Sequence, residues 1–338
     1  MNSVIPTISL PLPLTLPPQK VTVTTTARLH MGFVDLNGSQ GRLFGSLGVS
    51  LSAPQTQVIV EKSNTSNIDA EIPESVTKVI NSIKAYVKTS LEQDIDFSIK
   101  VVDSISEHAG LGSGTQMALA ITAGVNALFD LGLNAAKMAT ITSRGRRSGI
   151  GIGTFEQGGL VMDGGRSTQF KDKIPPIIAR HQFPAQWPIL LILDNNDQGV
   201  FGDAELLAFE NLPQANLATA QQLSHSVLML ALPAIIEQDY APFSQAISAL
   251  QMATGEYFAS AQGGHHKSEK VAQVLNFLNQ QGIICAGQSS WGPTGFAIFE
   301  DINTANNMCN QLQQRFSSSN LQFQMVTANN SGANVVIG

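Results

Sequence analysis

Apolar positions along the chain change period several times, and each change predicts an element. Val21-Thr22-Val23-Thr24-Thr25-Thr26 is β-branched and reads as a strand leading into Ala27-Arg28-Leu29-His30-Met31-Gly32. Strands also suit Gln57 to Glu61 and Asp96 to Val102, with a helix from about Ser75 to Ser90 between them. A loop from Ser104 to Thr115 then opens into an apolar, Ala-rich helix from Met117 to Leu131, and a helix at about Ala135 to Thr142 precedes an Arg/Gly-rich stretch. Gly158 to Gly165 reads as a short strand and turn.

Between Asp172 and Pro188 four prolines interrupt the periodicity, which places a domain boundary there. Past it the pattern predicts a strand at Ile189 to Leu193 and helices at about Asp203 to Asn211, Leu217 to Glu237, Tyr240 to Gln251 and Lys267 to Gln281. Strands are expected at Ile283 to Ala286, Thr294 to Phe299 and Leu321 to Val326, with a helix at Ile302 to Ser317. Mixed elements in both halves predict two α+β layered domains, residues 20–180 and 181–338, after an extended Pro-rich tail over residues 1–19.

Composition narrows the function classes. Charged residues make up 13% of the 338, the net charge is -6, and no basic cluster exceeds Arg144 to Arg147, so nothing predicts a nucleic-acid partner. The apolar run Val227 to Ile236 is too short to span a bilayer and contains Pro233, so it reads as a buried helix and predicts no membrane partner. Met1 to Pro18 lacks a basic n-region and does not read as a signal peptide. Cys285 and Cys309 have no metal-ligand or redox spacing, which fits free thiols in a reducing, cytoplasmic setting.

Chemistry concentrates in a few segments. In Glu107-His108-Ala109-Gly110-Leu111-Gly112-Ser113-Gly114-Thr115-Gln116, three glycines alternate just before a helix, where backbone N–H groups and the helix dipole converge on one point. This arrangement suits a phosphate or pyrophosphate, although an ordinary tight turn has the same composition. The loop contains no Lys and lacks both the P-loop and the Gly-x-Gly-x-x-Gly spacing. Arg28, His30 and Asp35 lie within eight residues before the Asn37-Gly38 turn and are able to bind anions, orient a proton or hold a cation; a solvated turn reads the same way. Arg144, Arg146 and Arg147, interleaved with glycine, suit a second anion grip or a solvated helix end. Glu156 or Asp163 would offer a carboxylate to a metal ion, with ordinary surface carboxylates as the alternative, and Gly287 to Gly295 presents Trp291 as an aromatic wall with polar donors or as a lid on the core.

Taken together, Ala27 to Gly38, Glu107 to Gln116, Ser148-Gly149-Ile150-Gly151 with Phe155-Glu156-Gln157-Gly158-Gly159, Met162-Asp163-Gly164-Gly165 and Gly287 to Thr294 resemble the GHMP superfamily, which includes galactokinase, homoserine kinase and mevalonate kinase. Within it they resemble the β-ribofuranosylaminobenzene 5′-phosphate synthases of methanopterin biosynthesis. The resemblance implies a two-domain α+β fold, with a ribosomal S5 domain 2-like N-terminal domain and a ferredoxin-like C-terminal domain. It implies condensation of 5-phosphoribosyl 1-diphosphate with 4-aminobenzoate or 4-hydroxybenzoate, releasing pyrophosphate and CO2, with Mg²⁺, in a cytoplasmic homodimer. The kinase pattern of Gly-Leu-Gly-Ser-Ser gives way here to Gly114-Thr115-Gln116, a departure from ATP chemistry; an ATP-dependent small-molecule kinase is the alternative enzyme, and a catalytically silent sensor the non-enzymatic one. On this resemblance Gly110, Leu111, Gly112, Ser113, Gly114, Thr115 and Gln116 bind diphosphate, with Ser290 and Trp291 nearby. Arg28, His30 and Asp35 orient acid or ribose, Arg146 or Arg147 holds a phosphate or the benzoate, and Ser113 and Glu156 are the expected metal ligands.

Overall fold

The computed structural model describes residues 18–63, 73–197, 199 and 212–338. The N-terminal tail up to residue 17 and the helix expected at Asp203 to Asn211 lie outside them. The chain opens with a long hairpin: β1 (Lys20–Asp35), the short β2 (Arg42–Leu43) and β3 (Gly45–Lys62). Along β1, Val21, Val23, Thr25, Ala27 and Leu29 are buried in strict alternation, and from His30 to Val34 both faces are covered. β1 therefore runs through Arg28, His30 and Asp35, which were expected on a loop at its end. Register shifts between Thr26 and Arg28, His30 and Gly32, and Phe33 and Asp35 re-aim these side chains within the strand.

Helix α1 (Glu74–Leu91), strand β4 (Phe97–Asp103), helices α2 (Ser113–Phe129), α3 (Ala135–Ile141) and α4 (Ile150–Gln157), and strands β5 (Leu160–Asp163), β6 (Arg166–Ser167) and β7 (Ile177–His181) complete the first layer pair. β7 forms within the Pro-rich boundary and extends the first sheet. Helix α2 is apolar all round because it lies buried between the sheet and its neighbours. Gly124 permits that approach: a Cβ there would stand 2.5 Å from Val60.

The second half contains β8 (Ile189–Asp194), α5 (Leu217–Ser226), a π turn (Val227–Ala231), α6 (Leu232–Glu237), α7 (Tyr240–Gln262), α8 (Glu269–Gln280), β9 (Ala286–Gln288), β10 (Gly295–Ile298), α9 (Ile302–Arg315), β11 (Leu321–Val326) and β12 (Asn334–Ile337). Four antiparallel strands in the order β11-β8-β10-β9 form its sheet. α8 and α9 cover one face, where Leu190, Ile192, Val274 and Leu312 form a cluster.

The halves share a core. Leu29, Met31 and Leu47 of the first sheet cluster with Leu191, Phe243, Leu250 and Phe296 of the second half, and β12 returns to pair with β1. Helix runs through Pro233 without a break: the π turn precedes it, and proline at the start of α6 lacks only an N–H that the turn has already displaced. Leu217–Glu237 is thus 21 residues of helix, long and apolar enough to cross a membrane, where the shorter apolar run had predicted none. One face, with Val227, Ala231, Ala234 and Ile235, packs into the shared core. Contrary to the expectation of full burial, Leu228, Met229 and Ile236 stand exposed.

Candidate active site

Gly110 (φ 76°) and Gly112 (φ 85°) both adopt left-handed backbone. Gly112 caps α2 without a side-chain bond, while its carbonyl accepts from Thr115 N and Gln116 N. That leaves the N–H groups of Ser113 and Gly114, ahead of the first bonded turn, as the ones a helix start offers to an anion. Gly110 is wedged against the Ser289–Gly292 turn: a Cβ there would lie 2.5 Å from Ser289 O and 2.8 Å from Gly292 O. Arg28 runs beneath the loop, its N donating to Leu111 O (3.1 Å) and its Nη1 to Gly110 O (2.6 Å). Ser289 Oγ donates to Gly110 O (2.8 Å) and accepts from His30 N (3.1 Å). Three segments remote in sequence are thus laced into one rigid cradle.

A cleft of about 1310 Å³ opens over it. Gly110, Gly112, Ser113, Gly114, Thr115, Arg28, Ser290 and Trp291 line it, joined by Lys78, Glu107, His108 and Arg144. At its lip, His108 (φ 59°) and Ser290 (φ 56°) hold left-handed backbone despite their side chains, a strain that typically persists at functional sites.

The second arginine of the cleft is Arg144, where Arg146 and Arg147 were expected. Ser143 (φ 57°) and Gly145 (φ 73°) reverse the chain on either side, so the arginines diverge. Arg146 is exposed, with Nη2 donating to Ser143 Oγ (3.2 Å), and Arg147 stands near Arg166. Neither lines the cleft. Burial pulls the Arg144 guanidinium below its ordinary value, opposed by the Glu107 carboxylate, and its buried Nε makes no hydrogen bond.

Several expected site residues have structural positions instead. His30 is 3% exposed, packs 4.5 Å from the Phe33 ring and has an unbonded Nε2. Burial, aided by the Arg28 charge, lowers its pKa from 6.5 to about 3, so it is neutral near pH 7 and does not line the cleft. Asp35 Oδ1 accepts from Asn37 N (2.7 Å) and Gly38 N (3.0 Å), fixing the turn after β1. Gln116 is fully buried; its Oε1 accepts from Thr25 Oγ1 and its Nε2 donates to Gly151 O (2.8 Å), tying β1, α2 and α4 together. The Leu111 side chain belongs to the shared core. Glu156 is exposed at the end of α4, away from the cradle.

Asp163 is buried and saturated: Oδ2 accepts from Ser46 Oγ (2.6 Å), Ser148 Oγ (2.8 Å) and Gly149 N (2.8 Å), and Oδ1 from Gly165 N (2.8 Å). Burial raises its pKa against the pull of these donors. It is a staple for the start of α4, with no oxygen turned to the cleft. Among the described residues no three His, Cys, Asp or Glu groups converge as a metal cage. Ser113 and Glu107 do line the cleft together, which fits Mg²⁺, an ion usually held by one or two carboxylates plus substrate phosphate oxygens.

Comparison with known proteins gives the fold and the family. The chain matches the GHMP kinases N terminal domain over residues 74–159 and the GHMP kinases C terminal domain over residues 231–318. Homoserine kinase from Cytophaga hutchinsonii has the same fold, with a TM-score of 0.71 at 16% identity over 96% of this chain and 100% of that one. Mevalonate diphosphate decarboxylase from Enterococcus faecalis gives 0.66 at 16% identity over 95% and 99%. Similarity of sequence is higher to the beta-ribofuranosylphenol 5′-phosphate synthases of Methanocaldococcus jannaschii, 33% identical over 305 residues, and Methanothermobacter thermautotrophicus, 30% over 296. Each alignment covers 82% of this chain and 88% of the relative. With a Gly-rich loop before a helix on a two-domain GHMP kinase fold and this identity over most of its length, the chain belongs to the beta-ribofuranosylphenol 5′-phosphate synthase family.

Proposed function

We propose that the protein joins the ribosyl 5-phosphate unit of 5-phosphoribosyl 1-diphosphate to the ring of a para-substituted benzoate. The carrying observation is a lysine-free cradle, Gly110 to Thr115, flanked by Arg28 and Arg144, in a chain this similar to synthases whose name specifies a ribofuranosylphenol phosphate. That name favours 4-hydroxybenzoate over 4-aminobenzoate as acceptor here, both having an electron-donating para group.

In the reaction the bond from ribosyl C1 to the diphosphate oxygen breaks, and its electron pair leaves on the diphosphate. The ring carbon bearing the carboxylate supplies the pair for the new carbon–carbon bond. The bond to the carboxylate then breaks, CO2 departs, and that pair restores the aromatic ring. No covalent enzyme intermediate is needed. The chief demand is charge on the leaving diphosphate, which the Ser113 and Gly114 N–H groups at the start of α2 and the Arg28 guanidinium would stabilise. Arg28 is itself held by Gly110 O. Mg²⁺, held by Ser113 and Glu107, would add Lewis-acid neutralisation of the same charge. His30, neutral and buried, takes no part in proton transfer.

Incubation with carboxyl-labelled 4-hydroxybenzoate, 5-phosphoribosyl 1-diphosphate and Mg²⁺ is expected to release labelled CO2, and Arg28→Ala to lower the rate by at least ~10²-fold, as loss of an oxyanion donor does. Absence of labelled CO2 with both benzoates would refute the proposal, and phosphorylation of an alcohol by ATP would replace it.

A further inference from the structure

Beside the cradle the cleft opens into a second compartment of about 440 Å³. The two differ in chemistry. Arg28, Lys78, His108, Thr115, Ser143 and Ser290 give the main cleft a hydrogen-bonding wall suited to a phosphorylated sugar. The side chamber is walled mainly by apolar side chains, among them Val76 and Val79 of α1, Ile99 of β4 and Met117 of α2, with Ser75, Lys100 and Ser104 at its polar positions. Ser113, Gly114, Glu107 and Arg144 border both compartments, so the cradle is their junction.

A ligand with an apolar body and an anionic end suits this mainly apolar chamber with Arg144 at its mouth. An apolar cavity of about 150 Å³ suffices for benzene, so a substituted ring fits with room for its para group. At the junction the Arg144 side chain lines both compartments, and guanidinium pairs well with carboxylate. Gly114 makes room for it: a Cβ there would stand 3.2 Å from Arg144 Nη1. We infer that the chamber is the acceptor subsite, taking the benzoate ring between α1, β4 and α2 with its carboxylate on Arg144. This rests on the synthase reading above. It places the carboxylate-bearing ring carbon at the junction, toward a ribosyl carbon whose diphosphate lies on Gly110 to Thr115. Arg144, not the Arg28–His30–Asp35 segment, then orients the acid.

The test fills the chamber in the full-length chain. Met117→Trp, with Met117→Phe as a milder second variant, is expected to raise KM for 4-hydroxybenzoate by at least ~10-fold, the scale of a steric change in an apolar pocket. KM for 5-phosphoribosyl 1-diphosphate should stay within about twofold on the same reasoning. Calorimetric titration of 4-hydroxybenzoate alone should show the same loss of binding in both variants and in Arg144→Gln, with melting temperature as the check on folding. If folded variants turn over and bind the acid as the unaltered chain does, the assignment is overturned and the synthase reading stands. If instead the variants lose binding of a non-hydrolysable ATP analogue while keeping the acid, the chamber is a nucleobase site and the assignment is again overturned. If the unaltered chain makes no product yet binds the acid and the filled variants do not, the chamber assignment stands and the synthase reading falls.

Discussion

Replacing Gly110 by Ala tests whether the cradle is set by backbone packing. Two penalties act on the variant. At φ 76° an alanine pays about 1–2 kcal/mol for left-handed backbone, offset by roughly 0.4–1 kcal/mol from a stiffer unfolded chain. Its Cβ would also meet Ser289 O at 2.5 Å and Gly292 O at 2.8 Å. Those atoms are backbone and cannot rotate away, so the turn must move by several tenths of an ångström, at about 1–3 kcal/mol. Gly132 provides the control, with φ 66° and nothing within 4 Å of its virtual Cβ; Gly132→Ala has the first penalty only. By scanning calorimetry Gly110→Ala should melt roughly 1–4 °C below Gly132→Ala, at about 1.4 °C per kcal/mol for a chain of 338 residues. The shift should also loosen the bonds from Arg28 Nη1 and Ser289 Oγ to Gly110 O, lowering kcat/KM for 5-phosphoribosyl 1-diphosphate by about 10- to 100-fold, as misplacement near 1 Å does. Equal melting temperatures for the two variants, with unchanged kcat/KM, would refute the reasoning.

Asp163→Asn must turn an NH2 group toward donors that now all point at a carboxylate, so a loss of about 2–4 kcal/mol is expected in chemical denaturation at pH 7; a change below about 0.5 kcal/mol would show that the staple is dispensable. Acidification should expose His30. Its folded pKa of about 3 lies below the ordinary 6.5, so the unfolded chain binds the proton first and stability is lost as pH falls from 6.5 toward 3, by about 2 kcal/mol at pH 5. His266, lowered to about 4 by burial and by His265, adds to the same limb. His30→Gln should flatten the decline between pH 7 and pH 5, and an unaltered slope would rule out His30 as its source.

Local pattern was enough for much of this molecule. The alternation from Val21 to Leu29, the Ala-rich run of α2 and the glycine spacing before it are short-range features whose physics acts within a few residues. They marked the Gly-rich loop as the candidate anion site and, with the other motifs, pointed to the family. Tertiary structure decided what those features could not. Arg144 enters the cleft while Arg146 and Arg147 do not, because a side chain's direction depends on the reversals at Ser143 and Gly145. The full length of β3, with burial on both faces from Ser46 to Leu51, and the return of β12 to β1 depend on partners distant in the chain. Gln116 and Asp163 are polar residues in motifs that resemble binding sites, yet their bonding atoms are turned inward and satisfied. Lys78 carries no motif and joins the cleft solely because α1 packs beside α2. Residue type and spacing determine which chemistry a segment can perform, whereas direction and burial, which set its partners, exist only once remote segments have packed.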